Sequence, residues 1–354
     1  MDRIANHSFL CVAVLVGSLA VGLVGCSGGA AAQQSASSPP NWFLNPDEAY
    51  SESRYLTAVS SASSAQAAQN NAFGNLARIF EADIQASQDL RDEYREVQES
   101  GDVTQSRQET RMITRSDIQS NQKLLNSEVL EQQQVGDTYY ALVGMERQET
   151  ISIYSEEIKT NRGKIKDYRA SAQETDNPIT RLAFLQKALV LAKVNDRLVT
   201  QRNIVAGGSA PSMGSSPVTA LEKSVREAQA ACPVVVQTGS DDIPSSIVDQ
   251  VGATLETAGF RVVDRPDEAI LEALVKYDER PALESREEEF LRWTMAIELT
   301  DRTIQQTLET FTTEQRAGGM SEAGVKRRAH NAARRVVEND FSTFLNQTLL
   351  NIDQ

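Results

Sequence analysis

Residues 291–299 have the sequence Leu-Arg-Trp-Thr-Met-Ala-Ile-Glu-Leu, in which a large apolar side chain recurs at every second position. Successive side chains of a β-strand point to opposite faces, so this pattern predicts a strand with one buried face. A hairpin partner is expected at 303–313, and residues 269–277 favour another strand, although a helix is an alternative there. The double glycine Gly318-Gly319 is expected to break the chain.

The chain on both sides of this strand completes a C-terminal α/β domain, predicted over residues 218–354. Its other elements are two short strands, a helix between them and a long final helix, expected at 234–237, 261–264, 244–258 and 321–350. Ser321 is a suitable cap for the final helix because its hydroxyl can accept a backbone N–H bond. A sheet covered by helices in this way is a sandwich-type arrangement.

An α+β domain is predicted over residues 41–147. Ser63 or Ser64 can cap an Ala-rich helix whose small residues recur at helical spacing, and this helix would lie on a small antiparallel sheet. The expected strands are 55–59, 111–117, 127–133 and 138–145, with a turn at Gly136-Asp137. The polar residues 83–107 are interpreted as a connecting segment.

Residues 148–206 predict a helical hairpin. Apolar side chains follow a near-heptad stripe in each half, and Asn177-Pro178 fits the cap and first position of the second helix. The hairpin either packs on itself as an arm or provides a coiled-coil surface for a partner, including a second copy. Residues 207–217, rich in Gly, Ser and Pro, are the expected linker to the last domain.

The first 25 residues resemble a secretory signal peptide. An apolar run from Phe9 to Val24 is shorter than the roughly 20 residues of a transmembrane helix, and small residues follow it. Leu23-Val24-Gly25-Cys26 resembles a lipobox, which predicts cleavage before Cys26 and acylation of that residue. Residues 26–40 would then form a short flexible tether. Ser27 favours the outer membrane, and we expect the folded part to face the periplasm.

Three further motifs resemble the LPP-twenty family of bacterial outer-membrane lipoproteins. They are Pro39-Pro40-Asn41-Trp42, the segment Tyr55–Ser64 with the sequence Tyr-Leu-Thr-Ala-Val-Ser-Ser-Ala-Ser-Ser, and Thr138–Val143 with the sequence Thr-Tyr-Tyr-Ala-Leu-Val. They occur in the family's order over residues 39–145, although this chain has Ser60 and Ala62 where the family usually has glycines. The resemblance implies an outer-membrane lipoprotein with an envelope or assembly role and no catalytic site.

Composition argues against several kinds of function. The net charge is −14, and Asp2 and Arg3 of the signal cancel, so the mature chain would repel nucleic acid. Removal of Cys11 and lipidation of Cys26 would leave Cys232 as a single thiol, expected to be buried. With His7 also removed, His330 would be the remaining histidine. We therefore expect no catalytic site, no metal site, no cofactor and no enzymatic activity.

A basic run in the last helix is the candidate binding site. It contains Lys326, Arg327, Arg328, Arg334 and Arg335. In an acidic protein these cations either dock an acidic partner or lipid headgroups, or are ordinary surface charge. His330 within the run is interpreted as part of a solvated helix face.

These features together predict a membrane-anchored, non-enzymatic structural, assembly or binding protein of the envelope, with an unidentified envelope protein as partner. One alternative is an activator of a periplasmic cell-wall enzyme. The other is a wall hydrolase with two facing carboxylates, for which the sequence offers no candidate pair.

Overall fold

The structure is a computed structural model, which describes residues 38–80, 88–99, 126–208, 214–240, 242–282 and 289–352. Helices and two sheets make it an α+β protein, as expected. The N-terminal elements are α1 (Asn41–Leu44), α2 (Pro46–Ala49), β1 (Tyr55–Ala62), α3 (Ala65–Arg78), α4 (Gln88–Glu99), β2 (Glu128–Val135) and β3 (Thr138–Glu146). The helical hairpin consists of α5 (Arg147–Glu174) and α6 (Pro178–Val205).

The C-terminal elements begin with α7 (Val218–Ala230), β4 (Val234–Thr238), α8 (Ser245–Thr257) and the two-residue β5 (Val262–Val263). A 3₁₀ turn at Pro266–Glu268 precedes three long strands, β6 (Leu271–Ala282), β7 (Glu289–Asp301) and β8 (Gln306–Gly319). The chain ends with α9 (Glu322–Val336), a π-helical turn (Val337–Phe341) and α10 (Ser342–Asn351).

The N-terminal sheet has the order β1-β3-β2 and is antiparallel throughout. Gly136 occupies the β2–β3 turn with φ +61°, a conformation that glycine adopts without steric cost. The Ser64 hydroxyl accepts a hydrogen bond from Ala67 N at the start of α3, which confirms the predicted cap. Alanines of α3 lie against one face of the sheet. The strand expected at 111–117 lies outside the described residues.

The C-terminal sheet has the order β5-β4-β6-β7-β8. β4 is parallel to β5 and β6, whereas β6, β7 and β8 form an antiparallel meander. The five alternating apolar residues of β7 are all buried, as their pattern predicted: Leu291, Trp293, Met295, Ile297 and Leu299. Helices α8, α9 and α10 cover this face, while polar residues such as Arg292 and Thr294 occupy the other.

Three sequence interpretations were resolved or corrected by the structure. Residues 269–277 lie in a strand, β6, and not in the alternative helix. Residues 88–99 form a helix, so the interpretation of 83–107 as a connecting segment was wrong there. Gly318-Gly319 does not break the chain, because both residues pair with the start of β7 and extend β8 to its end.

The hairpin contributes to three buried clusters along its length. Ile179 and Leu182, at the start of α6, belong to the core of the C-terminal sheet. The middle of α6 packs with Tyr94 of α4 and with Leu350 of α10. Val205, at the end of α6, packs with the core of the N-terminal sheet. The hairpin therefore joins the two sheets through apolar contacts, and these also explain why the polar segment 88–99 is helical.

Asn177 connects the hairpin turn to the C-terminal sheet. Its Oδ1 accepts hydrogen bonds from Ile179 N at 2.8 Å and Thr180 N at 3.0 Å, so it caps α6 as predicted. Its Nδ2 donates to Oδ2 of Asp301 at 2.8 Å, and Asp301 is 2% exposed. Thr303 supplies further donors to the same carboxylate. A buried charge is tolerated here because hydrogen bonds replace its hydration.

Replacement of Gly144 by alanine should destabilise the fold by about 1–3 kcal/mol. A Cβ atom there would lie 2.7 Å from Leu130 Cδ1 and 2.9 Å from the backbone oxygen of Leu56. Gly163→Ala is a matched control, since its Cβ meets nothing within 4 Å in the interior of α5 and should stabilise by about 0.5–1 kcal/mol. Urea denaturation of residues 27–354 would measure the change in the free energy of unfolding for both variants. Equal changes would contradict the close packing described around Gly144.

Two substitutions of Asn177 should separate its cap from its link to Asp301. Asn177→Ser keeps a good N-cap residue, but the serine side chain is too short to reach the Asp301 carboxylate. We therefore expect the free energy of unfolding to fall by about 1.5–3 kcal/mol. Asn177→Ala loses both contacts and should cost about 1 kcal/mol more. The free energy of unfolding in urea tests this order. Equal stability of the serine variant and the native chain would show that the Asp301 contact contributes nothing.

The thiol of Cys232 should be unreactive in the folded protein. Cys232 is fully buried, as expected from the sequence, and burial, followed by the nearby Asp301 charge, raises the pKa of its thiol to about 12. At pH 8 only about one ten-thousandth would be thiolate, the reactive form. Residues 27–354 should therefore not react with Ellman's reagent until unfolded in guanidinium. Ser215→Cys, at an exposed position, is the positive control, and rapid labelling of the native chain would contradict this burial.

Candidate functional site

Helix α9 carries the basic run and folds back against the end of β8. The Ser321 hydroxyl accepts a hydrogen bond from Gly324 N at 3.3 Å, which confirms the predicted cap. Arg328 Nη1 donates to the Gly318 carbonyl at 2.6 Å. A Cβ atom on Gly319 would lie 3.2 Å from Val325 Cγ2, so a glycine at this point lets the helix approach the strand closely. Val325, Ala329 and Ala333 are buried, which turns the opposite side of α9 to solvent.

Four arginines occupy this solvent side, and we call them the arginine surface: Arg327, Arg328, Arg334 and Arg335. At about 100° per residue, Arg327 and Arg334 lie on one line along the helix and Arg328 and Arg335 on a second, with the exposed Asn331 between them. All four arginines are exposed. The helical repeat thus gathers four of the five predicted cations into one surface.

The arginines differ in how firmly they are held. Arg328 is bound to Gly318, and Arg334 Nη2 lies 3.4 Å from Gln250 Oε1 on α8. Arg327 and Arg335 form no hydrogen bond or ion pair with the residues that the structure describes. Two guanidinium groups are therefore anchored and two are available, and each of the latter can bind a carboxylate or phosphate with two N–H groups.

Lys326, the fifth cation of the run, is paired within its own helix. Its ammonium lies 2.9 Å from Glu322 Oε1, one turn earlier. This hydrogen bond and the attraction between the charges raise the pKa of Lys326 and lower the pKa of Glu322. Since both side chains are exposed to solvent, the pair contributes little to stability. Lys326 thus lies beside the arginine surface, and its charge is already paired with that of Glu322.

His330 is half-buried, so its interpretation as part of a solvated face was wrong. Its Nε2 lies 2.7 Å from Glu279 Oε1, and its ring packs edge-on to Tyr277 with centroids 6.1 Å apart. The Tyr277 hydroxyl donates to the same Glu279 oxygen at 2.9 Å. Burial, and then the Glu279 carboxylate, raise the pKa of Tyr277, so it stays a donor. Glu279 gave no sequence signal, because it lies 51 residues from His330.

The cluster of Tyr277, Glu279 and His330 attaches α9 to the end of β6. Trp293 lies against Tyr277 with ring centroids 6.0 Å apart, and its indole N–H has no hydrogen-bond partner among the described residues. Among the described residues, no serine hydroxyl and no cysteine thiol forms a hydrogen bond with His330. The arrangement orients the helix that carries the arginine surface.

Cys26, the predicted lipidation site, lies outside the described residues. Among the residues that are described, no three His, Cys, Asp or Glu side chains are grouped to hold a metal ion. None of the helices in the same ranges combines the length and apolar character that a membrane span requires.

Comparison with known proteins finds distant likenesses to solved structures. The secreted protein HP1454 from Helicobacter pylori is 13% identical, and the match covers 81% of this chain and 97% of that one with a TM-score of 0.39. A minor lipoprotein from Acinetobacter baumannii is 16% identical over 33% of this chain and 90% of its own, with a TM-score of 0.24. A lipoprotein described as putative from Caulobacter crescentus is 14% identical over 32% and 89%, with a TM-score of 0.25.

No protein-family model matches the chain. No curated protein matches it either. The three solved structures named above are a secreted protein and two lipoproteins, and their identities to this chain assign it no function.

Proposed function

We propose that this chain is an outer-membrane lipoprotein of the LPP-twenty type, anchored through Cys26, which binds an acidic partner protein of the envelope without catalysing a reaction. The observation that carries the binding role is the arginine surface of α9. The lipobox-like sequence Leu23-Val24-Gly25-Cys26 supports the anchor, and Ser27 supports the outer membrane. Two or more acyl chains are enough to hold a protein at a membrane without a membrane-spanning helix.

The charge distribution favours binding at the arginine surface. The chain has a net charge of −14, yet four cations share the exposed side of α9. Arginine is enriched at protein interfaces and pairs with carboxylates through two parallel hydrogen bonds. The guanidinium groups of Arg327 and Arg335, to which no described residue hydrogen bonds, would supply these bonds, while Arg328 and Arg334 keep the helix in place.

A protein partner fits this surface better than lipid headgroups do. An anionic bilayer attracts cations within about a Debye length, near 8 Å at physiological salt, but it also repels the acidic remainder of the chain. A protein carrying a compact acidic patch can contact the arginine surface alone. Electrostatic complementarity of this kind contributes to specificity and to the rate of association.

The anchor can be tested by labelling cells with radioactive palmitate and separating their membranes. The native chain should be labelled and found in the outer-membrane fraction. Cys26→Ala should be unlabelled and absent from that fraction, and Cys232→Ala is the matched control that should behave as the native chain does. Outer-membrane recovery of an unlabelled Cys26→Ala chain would refute the anchor.

The partner role can be tested with a charge reversal that spares the fold. Arg327→Glu/Arg335→Glu should abolish a complex that chemical crosslinking recovers from intact cells, because both guanidinium groups become carboxylates. Arg226→Glu/Arg261→Glu makes the same change of charge at exposed positions elsewhere and should leave the complex intact. The native complex should also weaken as salt rises. Loss of the complex in the control as well, or in neither variant, would contradict a specific role for α9.

A further inference from the structure

The helical hairpin has two grooves between α5 and α6, and one of them is filled by α4. Tyr94 and Val97 of α4 are buried against the hairpin, and the Tyr94 hydroxyl donates to Glu157 Oε1 at 2.5 Å. Lys164 Nζ donates to Gln98 Oε1 at 2.7 Å. Helix α4 has five carboxylate residues and two arginines. The hairpin therefore already accommodates one acidic amphipathic helix.

The second groove, which we call the hairpin groove, is not filled by any of the residues that the structure describes. On α5 it is lined by Arg162, Lys166, Arg169 and Gln173, and its volume is about 740 Å³. At about 100° per residue these positions lie roughly 140° around α5 from the positions that contact α4. The remaining walls come from α6, which includes Asp196 and Val199, and from the segment 214–217.

Charge and shape distinguish the hairpin groove. Three cations line it against the single carboxylate of Asp196, which accepts a hydrogen bond from the Ser216 hydroxyl at 2.7 Å. Lys166 and Arg169 form no hydrogen bond or ion pair with any described residue. The side chains of Ala170 and Val199 provide apolar surface between the charged groups.

The spacing of the lining residues indicates an elongated ligand. Residues 162, 166, 169 and 173 follow one side of α5 over about three turns, which is about 16 Å at 1.5 Å per residue. Sites for small molecules enclose most of the ligand, whereas this groove is lined mainly by exposed side chains. A helix laid along such a groove would bury its apolar side chains and place charged ones at i, i+4 and i+7 beside the cations.

We propose that the hairpin groove binds an acidic amphipathic helix of a partner protein. The bound helix would be the counterpart of α4 on the opposite side of the hairpin. Its carboxylates would pair with Lys166 and Arg169, and its apolar stripe would cover Ala170 and Val199. This site uses none of the residues of the arginine surface.

Binding can be measured by fluorescence anisotropy with residues 27–354 and a labelled 18-residue helical peptide. The peptide carries glutamates at i, i+4, i+7 and i+11 beside a leucine stripe, and a second peptide has lysines in their place. We expect the acidic peptide alone to bind. Lys166→Glu/Arg169→Glu should raise its Kd at least tenfold, whereas Arg226→Glu/Arg261→Glu, the same change of charge at exposed positions outside both proposed surfaces, should change it less than twofold. Equal binding of the two peptides, no binding of either, or equal effects of the two variants would overturn the proposal.

A photo-crosslinking amino acid at position 199 tests the same groove in cells. The crosslinked segment, identified by mass spectrometry, should be an acidic amphipathic stretch of another protein, and the crosslink should disappear in Lys166→Glu/Arg169→Glu. Crosslinking to lipid, to a second copy of this chain or to a basic segment would contradict the assignment, as would no crosslink at all. Because the arginine surface remains intact in this variant, the two proposals fail independently.

Discussion

The side chain of Asn177 caps α6 and donates a hydrogen bond to the buried carboxylate of Asp301 at the end of β7. This contact places the hairpin turn against the C-terminal sheet, so that Ile179 and Leu182 enter its core. Unpairing a buried carboxylate costs several kcal/mol, which makes the geometry of this junction strict. Because α5 and α6 run from here to the N-terminal sheet, the junction also determines where that sheet lies.

The hairpin has a structural role along its whole length. Each helix has 28 residues, about 42 Å at 1.5 Å per residue. Buried polar groups fix the register of the two helices, since Asn161 Nδ2 donates to Asn195 Oδ1 at 3.1 Å and Asn195 Nδ2 donates to the Ile158 carbonyl at 3.2 Å. The hairpin groove lies on this connection, and the arginine surface lies on the C-terminal domain that it joins. We propose that each of these two basic surfaces binds an acidic partner.

Local patterns predicted the regular elements well where the pattern was strong. The alternation at 291–299, the Ser64, Asn177 and Ser321 caps and the turn at Gly136 all appear in the structure. Helix α4 was missed because its sequence is polar, and it is stabilised by packing of Tyr94 and Val97 against the hairpin. The prediction of a chain break at Gly318-Gly319 was wrong because of a tertiary contact as well. Pairing with β7 keeps these two glycines extended, although glycines often favour a turn.

The sequence by itself determined the elements whose causes are local, and it placed five cations on one helix with a lipobox-like segment far upstream. Only the tertiary structure decided which arginines are held, because the Gly318 carbonyl and Gln250 bind Arg328 and Arg334. It also brought Glu279 to His330 and formed a groove of the hairpin opposite α4 that none of the described residues fills. These features depend on contacts between residues far apart in the chain, which no local period or spacing records.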